Sequence, residues 1–409
     1  MSAEILNFGC RLNTYEGEVM RAHTGALENT VIINTCAVTA EAERQARQAI
    51  RKSLRENPSA EIVVTGCAAQ IAPERWAAIE GVSRVIGNTE KLEASTWSPG
   101  SNAGVGDIMA VREVAAHLLT EFAGRTRAFV QVQQGCDHRC TFCVIPFGRG
   151  PNRSVPIGAV VDQVRALVAQ GFEEIVLTGV DITSYGPDLP GAPRLGQLVR
   201  RLLALVPDLQ RLRLSSLDPA AIDDDFWREF AENPRLMPHL HLSLQAADDM
   251  ILKRMKRRHS VSQAAGVIAR ARSLRGANIG IGADVIAGFP TETDELFENT
   301  ANFLQEQKIP YLHVFPYSER PSTPAARMPS IPVATRRERA ATLRAIGTKN
   351  ASEFHHAFIG QEISVLMEKA NRGHSEFFSP VTLSEELPSV VRARVTGIDL
   401  KNGLLAEPI

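Results

Sequence analysis

The chain reads as an α/β protein in three parts: an amino-terminal doubly wound α/β domain (1–97), a central incomplete (βα)6 barrel (125–354) and a small carboxy-terminal antiparallel β-barrel (355–409). Three observations predict this. Apolar runs of strand length alternate with helix-period stretches up to about residue 330, the pattern of parallel sheets. The Gly/Ser/Asn-rich stretch Ser98 to Asp107 has linker composition, so 98–124 is expected to join two folded units. The tail then changes to short alternating strands.

In the first part, AEILNFGC, NTVIINTC and AEIVVTGC each run from apolar residues into a cysteine, Cys10, Cys36 and Cys67. A helix is expected over Ala40 to Glu56, ending before Asn57-Pro58 because the residue before proline disfavours the helical region. Strand candidates in the second part are 128–133, 174–179, 211–216, 239–245, 279–289 and 311–317. Ile157 to Gln170 is an intervening helix with Val160, Val161, Val164, Leu167 and Val168 on one face and Gly171 as the stop. Six βα units suggest an incomplete barrel, with function at the carboxyl ends of its strands. Those ends carry Cys136, Leu177 to Asp181, Ser215 and Ser216, Ser243 to Gln245, Asp284 to Glu292 and Pro316 to Ala325. Turn chemistry explains any one of them; six around one mouth favour a cofactor site. In the tail, EISVLME and VVRARVTGI read as strands with a close at Asn402-Gly403, a small barrel suited to RNA or to plain capping.

A composition of 44% hydrophobic and 22% charged residues in 409 is that of an ordinary globular protein. No apolar run has membrane-spanning length, and MSAEILNF lacks a secretory signal's charged region, so a cytoplasmic protein with no membrane partner is expected. The net charge of -1 gives no global sign of a nucleic-acid partner. Basic residues do gather locally, at Lys253 to His259, Arg270 to Arg275 and Arg336 to Arg344, as solvated helix faces or as phosphate contacts.

All six cysteines fall into two groups of three. Cys136, Cys140 and Cys143 form a C-x3-C-x2-C run, while parallel strands would bring Cys10, Cys36 and Cys67 to one sheet edge. In a reducing compartment cysteines serve more often as ligands or nucleophiles than as disulfides. Thiolates select iron-sulfur clusters, zinc or cuprous ions, and three per 4Fe-4S cluster leave one iron open. A zinc site or buried thiols are the plainer readings, but zinc motifs come in paired sets that the surrounding sequence does not supply.

FGCRLNTYEGE, INTCAVTAEAERQARQAIRK, VVTGCAAQ, QGCDHRCTFCVIPFGRGPNRS, HLHLSLQ, KRMKRRH and HVFPYSERPSTPAARMP together resemble the radical S-adenosylmethionine (SAM) methylthiotransferases, over essentially the whole chain, and among them the MtaB branch. The resemblance implies a radical SAM barrel, a TRAM-like terminal barrel, two 4Fe-4S clusters, SAM, and methylthiolation of C2 of N6-threonylcarbamoyladenosine at tRNA position 37. Sister branches act on N6-isopentenyladenosine at that position (MiaB) or on a ribosomal-protein aspartate (RimO). A reading from another class is an iron-sulfur scaffold or electron carrier, which would need fully ligated clusters.

By that resemblance Cys136, Cys140 and Cys143 hold the cluster that binds and cleaves SAM, and Cys10, Cys36 and Cys67 hold the cluster that carries sulfur. Phe142, Thr178, Gly179, Asp181, Ser243, Gln245 and Gly288 are expected around SAM, Gly288 because a missing side chain permits close approach. Arg254, Lys256, Arg257 and Arg258 are candidates for phosphates of the tRNA anticodon loop, or one of them for the SAM carboxylate. Asp284 is a candidate to orient a substrate group, or a buried aspartate that satisfies turn amides. A flavodoxin- or ferredoxin-type electron donor and a monomeric enzyme complete the expectation.

Overall fold

The computed structural model describes residues 3–98, 100–113, 126–387, 389–399 and 403–409. The first unit is a parallel sheet of four strands, Glu4–Asn7, Thr30–Thr35, Glu61–Gly66 and Val82–Val85, in that order. Alternation along a strand sends neighbouring side chains to opposite faces, so both faces of these Val/Ile-rich strands need cover. Val31, Ile33, Ile62 and Val64 pack against Ala46 and Ile50 of helix Ala40–Glu56. Ile5, Ile32 and Val63 pack with Met20 of helix Arg11–His23 and with Trp97. Helices therefore cover both sides, as a doubly wound unit requires. Helix Ala40–Glu56 starts on Thr39, whose hydroxyl accepts from Ala42 N at 3.2 Å.

The expectation of a linker over 98–124 needs correction at its start. Gly104 O accepts from Gly87 N at 3.0 Å, Gly106 O accepts from Gln70 Nε2 at 2.9 Å, and Ile108 is buried. The Gly/Ser/Asn run is thus laid onto the first unit, because its exposed backbone groups match polar groups already there. Residues 114–125 lie outside the described residues.

Strands Arg127–Gln131, Glu174–Thr178 and Arg211–Leu214 form one parallel sheet, and Ser216–Leu217, His239–Gln245, Gly280–Ala287 and Tyr311–Pro316 another. Only Ser215 separates Leu214 from Ser216, so the two sheets are one curved wall. Among the described residues no pairing joins Tyr311–Pro316 to Arg127–Gln131, which leaves the barrel open along that side. Helices Ile157–Ala169, Leu195–Leu205, Asp224–Glu232, Val261–Arg275, Asp294–Glu306 and Val333–His356 intervene, and their apolar faces join the strands in one core.

At the amino ends of the first three barrel strands the buried Glu174 carboxylate gathers three guanidiniums. Arg127 Nε donates at 2.5 Å and Arg213 Nε at 3.1 Å; Arg211 Nε lies 3.1 Å away, off the hydrogen-bonding direction. Burial alone would raise the Glu174 pKa, but Arg213, Arg127 and Arg211 hold it well below the usual carboxylate range.

The tail closes into a five-stranded barrel of Glu362–Lys369, Arg372–Ser375, Pro380–Leu383, Val390–Asp399 and Gly403–Pro408. One pair, Pro380–Leu383 with Gly403–Pro408, is parallel, a departure from the all-antiparallel expectation. An odd number of strands cannot alternate direction around a closed ring. Of the expected close at Asn402-Gly403, Asn402 lies outside the described residues and Gly403 starts a strand. This barrel docks at the same amino-terminal end of the central wall: Thr126 Oγ1 donates to Met367 O at 2.6 Å, Arg213 to Glu376 O at 3.2 Å, and Tyr311 Oη pairs with Ser379 Oγ at 2.8 Å.

Replacing Glu174 with alanine leaves buried guanidiniums facing one another, and should cost about 3–5 kcal/mol of stability. Urea unfolding measures this; a loss under about 1 kcal/mol would show that the carboxylate is not what holds the three arginines. Since the Glu174 pKa is depressed in the fold, its contribution is present at neutral pH and is lost as pH falls below the ordinary carboxylate pKa.

Candidate active site

Cys10, Cys36 and Cys67 each leave the carboxyl end of one of three adjacent parallel strands. Register makes them converge: the chain turns sharply at Gly9 (φ +91°), and a Cβ there would fall 2.6 Å from Cys36 Sγ. The thiols feel one another, Cys67 and Cys10 both raising the pKa of Cys36. Cys10 is exposed within this recess, whereas Cys36 and Cys67 are buried.

Beneath them lies a buried charged cluster. Arg149 Nε donates to Cys67 Sγ at 3.0 Å, and its other nitrogens donate to both Glu16 oxygens and, at 2.5 Å, to Asn13 Oδ1. Lys91 Nζ donates to Glu16 at 2.7 Å and to Asn34 Oδ1 at 3.1 Å. Burial would raise the Glu16 pKa, but the two cations keep it lowered. Arg149 belongs to the barrel domain, in the short helix Ile145–Arg149 just beyond the C-x3-C-x2-C run. It reaches across the domain boundary to the other cysteines.

Cys136 follows Gly135 (φ +73°), where a Cβ would lie 1.8 Å from Pro151 O, and its N donates to Gly150 O at 3.0 Å. The Cys140 to Cys143 loop is anchored by Thr141, whose N donates to Met255 O (3.0 Å) and whose Oγ1 donates to Arg254 O (2.8 Å). Phe142 meets Phe289 edge to face at 6.4 Å between centroids. Arg257 donates to Cys140 Sγ at 3.6 Å, to Ser243 O at 2.8 Å and to Asp218 at 3.2 Å. The triads approach across the domain boundary: Cys67 packs on the helix that follows Cys143, a Cβ on Gly148 there falling 3.2 Å from Cys67 Cβ.

All six thiols are free. Burial pushes the pKa of Cys36, Cys136 and Cys143 up to about 12, so these are not thiols activated as nucleophiles, which require a depressed pKa. Among the described residues, donor groups that crowd within 4.8 Å are Cys136-His138-Asp181 and His241-Asp284-His313, and neither cysteine triad is one of them. The donor set fits two iron-sulfur clusters with three thiolates each.

The other expected residues divide. Asp181 faces Cys136, its carboxylate held by His138 Nε2 (2.9 Å), Thr183 Oγ1 (2.6 Å) and Ser184 Oγ (2.7 Å); burial raises its pKa, and these bonds outweigh burial. Thr178 is buried at the strand end, and Gly179 packs on Gln133, a Cβ there falling 2.7 Å from Gln133 O. Ser243 lies beside Arg257, and Gln245 sits at a bulge with φ +68°, which re-aims its side chain. Gly288 packs on Arg336, whose Cγ would be 2.6 Å from a Cβ, so helix Val333–His356 comes close on that side.

The basic group also splits. Arg254 donates to Thr291 and Arg257 to Cys140, both inward, whereas Lys256 and Arg258 are exposed. Among the described residues Asp284 accepts from no turn amide; it accepts from Ser216 Oγ at 3.4 Å, and its Oδ1 lies 3.0 Å from His241 Nε2 and 3.3 Å from His313 Nδ1. Sequence reading missed Arg149, Glu16, Lys91 and His138. A usable signal was present: Cys10, Cys67 and Cys136 each directly follow a glycine.

Residues 130–304 match the Radical SAM superfamily and residues 2–87 the uncharacterized protein family UPF0004. A threonylcarbamoyladenosine tRNA methylthiotransferase MtaB from Rickettsia prowazekii is 51% identical over 97% of this chain and 95% of its own length. Its counterpart in Aquifex aeolicus is 34% identical over 91% and 94%. A tRNA-2-methylthio-N(6)-dimethylallyladenosine synthase from Maricaulis maris is 32% identical over 90% and 87%. Among solved structures, the radical SAM methyltransferase TsrM from Kitasatospora setae shares the fold, with TM-score 0.58, 17% identity, and 77% of this chain and 66% of that one covered.

Arg149→Met strands Glu16 in the interior with Lys91 alone and is expected to cost about 3–5 kcal/mol. Arg149→Lys should not restore this, because an ammonium cannot reach Cys67, Asn13 and both Glu16 oxygens together; full recovery by lysine in thermal unfolding would refute the geometry. Thiols with raised pKa resist ionisation in the fold and ionise first in the unfolded chain. The metal-free protein should therefore lose stability as pH rises from about 9 toward 12, seen as a falling urea midpoint.

Proposed function

The chain belongs to the MtaB family of radical SAM methylthiotransferases, and on that premise we propose that it places a methylthio group on C2 of N6-threonylcarbamoyladenosine at position 37 of tRNA. The observation that carries this reading is the pair of cysteine triads brought toward one another where Cys67 meets Gly148 and Arg149 of the helix that follows Cys143. Cys136, Cys140 and Cys143 would hold one 4Fe-4S cluster and Cys10, Cys36 and Cys67 the other. When bound, these clusters and SAM supply a carbon-centred radical and a methylated sulfur.

The chain's own residues do the rest. Asp181, oriented by His138, Thr183 and Ser184, offers a carboxylate beside Cys136 to the amino group of SAM. Arg257 sets positive charge against Cys140 and fixes the Ser243 backbone, while Phe142 and Phe289 keep water from the loop. Lys256, exposed, and Arg258, exposed but paired with Asp218 at 3.1 Å, would meet phosphates of an anticodon loop, where a base unstacks at modest cost. One chain carries both triads, so a monomer suffices, with electrons drawn from a flavodoxin- or ferredoxin-type carrier in the cytoplasm. No helix among the described residues is long and apolar enough to cross a membrane. The 51% identity to the Rickettsia threonylcarbamoyl enzyme, against 32% to the Maricaulis dimethylallyl one, favours the first substrate over the second.

Nucleoside mass spectrometry of tRNA from a deletion strain, with and without the gene restored, tests the reading. Return of the methylthio group on the threonylcarbamoyl nucleoside is expected; its return on the isopentenyl nucleoside would overturn the assignment. Cys67→Ala should lower iron from about eight to about four atoms per chain and abolish the methylthio product.

A further inference from the structure

A cleft of about 290 Å3 opens where all three domains meet, and the reading above leaves it without a role. Arg11, next to Cys10, comes from the amino-terminal domain; His241 and His313 come from the barrel; His374 and Phe378 come from the terminal barrel. Arg11 makes no hydrogen bond or ion pair among the described residues. Its guanidinium lies 5.5 Å from the Phe378 ring centroid and 6.0 Å from that of Phe129. Asp399 shares the cleft wall but has an interaction of its own. Asp284, behind the two imidazoles, accepts from both and so fixes their planes.

We propose that this cleft receives the threonylcarbamoyl substituent, its carboxylate pairing with Arg11 and its hydroxyl and urea groups meeting His241 and His313. The assignment rests on the substrate reading above and deepens it. Placement agrees with the chemistry. His241 is two residues, about 7 Å, before Ser243 on one strand, and Arg257 ties the Ser243 backbone to Cys140. On the other wall Arg11 adjoins Cys10. A purine with C2 between the triads points its N6 substituent away from them, into this cleft. A guanidinium on the wall favours an anion over a metal ion between His241, Asp284 and His313. An apolar dimethylallyl group would cover the half-buried Arg11 and leave it unpaired, a form of rejection stronger than any hydrocarbon pocket provides.

The test uses the reconstituted enzyme and two anticodon stem-loop RNAs, one with N6-threonylcarbamoyladenosine and one with its threonine carboxylate converted to the amide. Wild type should prefer the acid by about 100-fold in kcat/KM, the size of a charge-assisted hydrogen bond. Arg11→Met should reduce that preference to less than about threefold, while Arg11→Lys keeps most of it. Wild type that modifies acid and amide equally overturns the proposal without any variant, as does Arg11→Met that keeps the preference. Wild type inactive on both RNAs would instead sink the substrate reading itself.

Discussion

The guanidinium of Arg149 is the contact on which the two-triad site depends. It leaves the loop that carries one set of thiols, crosses the domain boundary and ends against Cys67, Glu16 and Asn13. With Lys91 it sets two positive charges against one carboxylate, and the surplus faces the cysteines. A cation so desolvated is tolerated only if its donors are matched, and Asn13, both Glu16 oxygens and Cys67 match them. The cost of separating those groups keeps the two domains in register, and register is what two cofactors acting on one nucleotide need.

A second charged hub works at the opposite end of the barrel. Glu174 draws Arg127, Arg211 and Arg213 together, and Arg127 and Arg213 reach on to Glu368 and Glu376 O of the terminal barrel. That barrel is therefore fixed where Phe378 and His374 can wall the cleft beside Arg11. One hub aligns the thiols and the other shapes the floor beneath them. Both rely on the steep penalty for an unpaired charge in the interior.

Much of the fold was legible along the chain. Helix Ala40–Glu56 and the strands that end at Cys36 and Cys67 follow from local periodicity, proline and β-branched runs, which act over a few residues. The triads were legible because thiol chemistry and parallel strand ends constrain where ligands meet. Arg149 was not: in PFGRG it looks like a turn residue, and its partner Glu16 lies 133 positions away. His241 and His313 looked like ordinary strand positions, since nothing in HLHLSLQ or YLHVFPY reveals that both rings lean on Asp284. The apparent linker after Ser98 misled because glycine-rich composition describes conformational freedom and not the partners that remove it.

The sequence by itself determined the α/β class, the three-part order and the two groups of soft ligands, because periodicity and side-chain chemistry are properties of short segments. Tertiary structure alone decided which buried charges meet. It turned Arg254 and Arg257 inward and left Lys256 and Arg258 at the surface, set Gly288 against helix Val333–His356, and left Arg11 facing a cleft with no ion pair among the described residues. The reason is physical: pairing energies of desolvated charges depend on through-space distance and on the exclusion of water, and neither is set until distant segments pack.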